Sequence, residues 1–338
     1  MSTSAQPSQP VSERQLPLSF LPLPSVGKQK LFALLVLLAQ AGIAVTGSIV
    51  RVTGSGLGCD TWPQCHPGSF TPVPGAAPAL HQAIEFGNRL LTFVLIVITL
   101  VLFLAVVRAG RRKSIIVLSF IEGFGIIVQA VIGGISVHVD LNWIWVAFHF
   151  LPSMVLVWIA GVIWVQVGQP DDGQLERRYP TALRWLSVLM GVAVSLTLVS
   201  GTMVTGAGPH AGDADVTPEE RLNLPIVELT HVHAGFMYLL LGLVVGLTMA
   251  LIALKVERRV LIVGWALIAV IISQAVVGMV QYWTGTPAAL VPVHIAGSGA
   301  VTGLAGMLYA FGRDRVGGTA TNYGSLAAEQ DPKAKAKA

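Results

Sequence analysis

The chain has 338 residues, of which 54% are hydrophobic and 11% charged, with a mean hydropathy of +0.72. A soluble domain carries roughly a quarter charged residues, so that class is excluded. The formal net charge of +4 and the pI of about 9.2 come from short basic segments between apolar runs, a pattern of membrane orientation rather than of nucleic-acid binding.

Residues 1–27 are rich in Ser, Pro and Gln and lack an apolar core. They read as a disordered cytoplasmic tail, and not as a secretory signal, which needs an early apolar run. Eight runs of membrane-spanning length follow, near 31–50, 83–107, 115–137, 143–167, 182–204, 228–254, 260–282 and 289–311. The first loop holds the only two cysteines, Cys59 and Cys65, around Trp62-Pro63-Gln64. In an oxidising outward loop a proline-containing turn favours a disulfide between them, either structural or redox-active. Span two opens with Glu85 and Asn88 and ends on Arg108, Arg111, Arg112 and Lys113. Arg177, Arg178 and Arg184 flank the start of span five, and Lys255, Arg258 and Arg259 separate spans six and seven. The loop 205–227 is acidic, with Asp213, Asp215, Glu219 and Glu220. This asymmetry predicts a cell-membrane protein with both termini cytoplasmic. Residues 313–338 read as a second cytoplasmic tail.

The chain repeats itself. Gln129-Ala130-Val131-Ile132-Gly133 returns as Gln274-Ala275-Val276-Val277-Gly278, an offset of 274 − 129 = 145. The predicted fold is therefore an all-α membrane protein, with eight transmembrane helices as two tandem four-helix bundles in a parallel internal repeat. The units are residues 28–170 and 171–312. His149 maps to His294 by the same offset, but His233 maps to Asn88 (233 − 145 = 88). All four positions fall in one layer of the outer half of the membrane. A histidine inside a span is costly without a partner, and two on facing helices can each give a ring nitrogen to a heme iron. The second unit then holds a complete pair and the first an incomplete one. An amide is a poor iron ligand, so the sixth position opposite His149 stays open between water, oxygen and another side chain. Gly133, Gly134 and Gly278 make room either for a flat macrocycle or for plain helix packing.

His231 lies about 200° from His233 on a helix and cannot face the same heme. His81, two turns outward of Asn88, can reach a heme edge or its propionates. His66, His138 and His210 are expected at the outer surface. Glu85 lies one turn outward of Asn88 on the same face, either as an interfacial acid, as a partner of Arg89, or as a proton carrier beside a reactive iron. Glu122 lies nearer the cytoplasmic side, away from the histidine layer, and Glu228 has a weaker claim.

The run Gly47-Ser48-Ile49-Val50-Arg51-Val52-Thr53-Gly54-Ser55-Gly56-Leu57-Gly58-Cys59, followed by Trp62-Pro63-Gln64-Cys65, resembles the first-loop signature of heme A synthases. The likeness extends over about residues 30–312. It implies oxidation of the C8 methyl of heme O to a formyl group, by successive hydroxylations to a gem-diol that loses water. The product, heme A, serves terminal oxidases. It also implies a resident heme b held by His233 and His294, His149 as a ligand of substrate heme O, and Glu85 as the catalytic acid. Cys59 and Cys65 match cysteines that pair in some members. The family pattern has a histidine where this chain has Asn88. Implied partners are heme O synthase, the terminal oxidase assembly, an electron acceptor or donor, and membrane lipid. A homo-oligomer is left open. The rival reading is a diheme membrane electron-transfer cytochrome, which would carry two complete histidine pairs spread toward both faces. A repeat-built transporter would show charged, broken helices at the midplane.

Overall fold

The computed structural model describes residues 17–212 and 217–316. Eight long helices run through it: α1 (Val26–Val52), α2 (Ala79–Arg108), α3 (Lys113–His138), α4 (Trp143–Val167), α5 (Thr181–Ala207), α6 (Ile226–Ala253), α7 (Arg258–Thr284) and α8 (Leu290–Ala310). Each is long and apolar enough to cross a bilayer, and the chain is a multi-pass membrane protein. Most of the helices exceed the predicted apolar runs by a few residues, whereas α4 coincides with its run and α8 falls one residue short at each end. Polar residues start two of them: Ser25 caps α1 by accepting from Lys28 N–H (3.3 Å), and Asn142 caps α4 by accepting from Ile144 N–H (3.0 Å). Gly285, at φ +75°, ends α7 in a left-handed turn that a side chain would resist.

Packing follows chain order. The first four helices close a ring through α1–α2, α2–α3, α3–α4 and α1–α4 contacts, and α5 to α8 close a second ring in the same way. This arrangement is compatible with the tandem four-helix units. The rings meet mainly through α4 and α8, with α1–α8 and α4–α5 beside them. Glycine makes the seam close: a Cβ on Gly161 would stand 2.5 Å from the Gly303 carbonyl oxygen, and one on Gly306 2.6 Å from that of Trp158. Bare backbone lets two membrane helices approach where lipid offers no hydrophobic drive.

One end of the bundle carries the segments 53–78, 139–142, 208–212, 217–225 and 285–289 and is called the loop end. The other carries the arginine clusters and is called the basic end. There, β1 (Gln174–Arg177) pairs antiparallel with β2 (Arg313–Val316), strands that the hydropathy pattern did not reveal. Their neighbours stitch the inter-unit linker to the segment that follows α8. Arg111 donates to Asp171 (2.8 Å), Gln29 (2.8 Å) and the Gln169 carbonyl (2.9 Å), Gln169 donates to the Arg313 carbonyl (2.8 Å), and Arg178 pairs with Glu257 and Asp314. Burial lowers the Arg112 guanidinium to about 10 against the opposing pull of Asp171, which leaves it charged at neutral pH. The segment read as an N-terminal tail is described only from residue 17. In it the Leu21 carbonyl accepts from Arg108 Nε at 2.6 Å.

Candidate functional site

The repeat-related residues sit in the loop-end half of each ring. His233 on α6 and His294 on α8 face each other with ring centroids 6.3 Å apart and planes at 60°. Two imidazoles on opposite sides of one iron, each with its nitrogen about 2 Å from the metal, hold their centroids at about that distance. His233 Nδ1 is 2.9 Å from the Thr197 carbonyl and 3.2 Å from Ser200 Oγ, both on α5. A Nδ1–H held by a carbonyl leaves Nε2 bare for a metal. His294 Nδ1 is buried with no hydrogen-bond partner. Gly201 and Gly278 keep space beside the rings: a Cβ would come 3.1 Å from His233 Cε1 and 3.7 Å from His294 Cε1.

The first ring repeats half of this. His149 on α4 has Gly133 against its ring, where a Cβ would lie 3.2 Å from Cε1, and its Nδ1 is buried without a partner. Gly133 and Gly278 thus face the histidines themselves, whereas Gly134 receives the Trp62 ring. The recurring glutamine braces the helix one turn below the histidine. Gln129 Nε2 donates to the His149 carbonyl (2.6 Å) and to Ser153 Oγ, and Gln274 packs on Gly297 of α8. Asn88 is not idle: its Oδ1 accepts from Thr46 Oγ1 of α1 at 2.7 Å.

Above this ring lies the segment 53–78, bridged by a Cys59–Cys65 disulfide with both cysteines fully buried. Glu85 holds it down. The carboxylate is 5% exposed, accepts from Cys59 N–H at 2.6 Å, and pairs with Arg89 at 2.5 Å. Arg89 in turn donates to the carbonyls of Cys59 (3.0 Å), Thr61 (2.9 Å) and Gln64 (3.0 Å). Of the alternatives for Glu85, pairing with Arg89 is observed. The added contact to Cys59 joins residues 26 apart and left no local trace in the sequence. The loop presses so close that a Cβ on Gly58 would meet the His81 backbone at 2.5 Å.

His66 corrects an expectation. It is not at the surface but 5% exposed, with Nδ1 2.8 Å from Asp60 and Nε2 3.0 Å from Gln82, because the folded loop supplies both partners. His138 is exposed, as expected, and contacts the Trp62 carbonyl at 3.1 Å, while His210 is half-buried against the Thr286 carbonyl at 3.1 Å. His231 is exposed on the far side of α6 from His233. Glu122 is fully buried on α3 and accepts from Gln40 Nε2 of α1 at 2.9 Å. Among the described residues no cluster of three or more His, Cys, Asp or Glu could hold a metal ion unaided.

Fold and site define a class: an eight-span helical membrane protein with internally repeated, part-buried histidines, paired in one half and unpaired in the other. Residues 30–305 match the family model described as cytochrome oxidase assembly protein (COX15-CtaA), and the chain belongs to that family. It is 31% identical over 180 residues to the heme A synthase of Lysinibacillus sphaericus (strain C3-41), covering 52% of this chain and 57% of that protein. It is 29% identical over 181 residues to the heme A synthase of Staphylococcus saprophyticus, covering 52% and 58%. The matched region spans just over half the length of these relatives.

Proposed function

We propose that this chain is a heme A synthase, an oxidoreductase that converts the C8 methyl of heme O to a formyl group. The observation that carries this reading is the asymmetry of two repeat-related sites, a facing His233–His294 pair at 6.3 Å and a His149 whose counterpart is Asn88. Two histidines alone do not complete an iron's coordination, and a macrocycle adds four nitrogens between them. The residues of the second unit (171–312) therefore suit a resident heme b, and those of the first unit (28–170) suit the substrate. Heme b, when bound, supplies one-electron transfer.

The chain's own residues divide the remaining work. Thr197 and Ser200 orient His233 and fix which nitrogen faces the metal. His149 tethers the substrate, with Gln129 steadying its helix. Asn88, its oxygen engaged by Thr46, leaves its NH2 as a donor on the other side. The conversion takes its oxygen from water: two waters enter as the methyl carbon passes through alcohol to gem-diol, and one leaves as the aldehyde forms. Four electrons go to an external electron acceptor, and Glu85 accepts protons from the four released. Arg89 and the Cys59 N–H hold it in place for that step. The basic end faces the cytoplasm, so both sites open toward the outer side. Heme O synthase supplies the substrate and terminal oxidase assembly takes the product.

The deciding experiment is chromatography of hemes extracted from cells that make heme O, with and without this protein. A new heme A peak is expected, and an unchanged heme O profile with the protein inserted in the membrane would refute the reading.

A further inference from the structure

Carboxylates are the most polar part of any heme, and the loop end of the first ring has few groups left to receive them. Arg89 is consumed by Glu85 and three loop carbonyls. His66 is consumed by Asp60 and Gln82, and His138 turns to the Trp62 carbonyl. Arg51, in the last turn of α1, is different. Its Nε is buried without a hydrogen-bond partner, and no ion pair involves it among the described residues. Its direction follows from helix geometry. Arg51 lies 51 − 40 = 11 residues after Gln40, a rotation about 20° from three full turns and a rise of about 16 Å toward the loop end. Gln40 reaches Glu122 on α3, which stands diagonally across the ring from α1. Arg51 therefore shares the face of α1 that looks into the ring, at its outer mouth. Five residues before it, Thr46 holds Asn88 in the site itself. A guanidinium whose Nε is buried without a partner is costly, and its planar fork suits a carboxylate.

We infer that Arg51 binds a propionate carboxylate of the substrate heme in the first unit, and so sets which edge of the macrocycle points outward. This rests on the heme reading above. In heme O the C8 methyl and one propionate share a pyrrole ring, so an outward propionate keeps the reacting methyl in the outer half of the ring, where Glu85 lies. Arg51 is thus a substrate-binding and orienting residue. Arg221, in the segment between α5 and α6, also buries an unpartnered Nε, but nothing fixes its direction toward the second pair.

The test titrates purified full-length protein, carrying its resident heme, with heme O and with heme O dimethyl ester, and follows the absorption change. Wild type should bind the free acid at least about tenfold more tightly than the ester, the scale of one charge-assisted hydrogen bond. Arg51→Gln should bind heme O at least about tenfold more weakly and lose the preference, and Arg51→Lys should recover part of it. Wild type that ignores esterification, or Arg51→Gln that still discriminates, would overturn the assignment. So would unchanged titrations in Arg51→Gln, the result if the guanidinium serves a lipid phosphate. The wild-type comparison decides even if the variants do not fold. Failure of the heme reading looks different: heme O binding would then be absent or indifferent to His149→Ala.

Discussion

Single atoms separate the two histidine sites. His233 has its Nδ1 anchored and a partner ring 6.3 Å away, and His149 has an amide as its counterpart. His233→Ala should abolish the low-spin bis-histidine signal in electron paramagnetic resonance, and survival of that signal would place the resident heme elsewhere. Glu85 holds Cys59, and in the proposed function it has a second, separable task, carrying a proton. Glu85→Gln keeps a carbonyl oxygen for the Cys59 N–H but cannot take a proton. Heme content near wild type with at least about a hundredfold loss of heme A formation is expected, within the usual range for a proton-transfer group. Full activity in that variant would leave Glu85 as a loop anchor only. The residue types were legible in the sequence, since a histidine or glutamate within an apolar run stands out. Their partners were not: Thr46, Thr197 and Ser200 are ordinary hydroxyl-bearing or carbonyl-bearing residues of apolar helices, and only the neighbouring helix gives them a role.

Among the elements, α4 and α8 matter most, because they carry His149 and His294 and also join the rings. Their closeness depends on Gly161, Gly303 and Gly306, where an added carbon meets backbone rather than a flexible side chain. Gly306→Ala should force the helices apart and cost about 1–3 kcal/mol, with partial loss of bound heme. Thermal unfolding in detergent and a heme-to-protein ratio measure both, and wild-type values would mean that the seam tolerates a methyl group. The spans themselves were readable from hydropathy, because each is set by its own run of about 20 apolar residues. Which face each helix turns inward was not, since apolar residues cover all sides of a membrane helix. The repeat offset of 145 supplied that information only for His149, His233 and His294.

At the scale of the whole molecule, charge is concentrated at the basic end, where it ties the linker to the segment after α8. Asp171 serves both Arg111, whose side chain is fully buried, and Arg112. Asp171→Ala removes one carboxylate from buried positive charge and should lower stability by about 2–4 kcal/mol, below the cost of a wholly isolated charge because Arg111 keeps other partners, the Val167 and Gln169 carbonyls among them. A thermal midpoint unchanged by this substitution would show that the stitching is ornamental. The loop end is organised differently, by one disulfide-bridged segment held over the first ring through Glu85, Arg89 and Trp62. The second ring has no disulfide, as both cysteines lie in the first.

The amino-acid sequence by itself determined the eight spans, the internal repeat and the layer of histidines broken at Asn88. These are properties of local composition and fixed spacing, and they hold before any two helices meet. The tertiary structure alone decided that His66 is buried, that Glu85 is locked to Cys59, that Asn88 answers to Thr46, and that Arg51 buries an Nε with no hydrogen-bond partner among the described residues. Those outcomes depend on helix rotation and on loop folding over a ring. They join atoms far apart in the chain, whose pairing follows from close packing and the need to satisfy buried polar groups rather than from any local pattern.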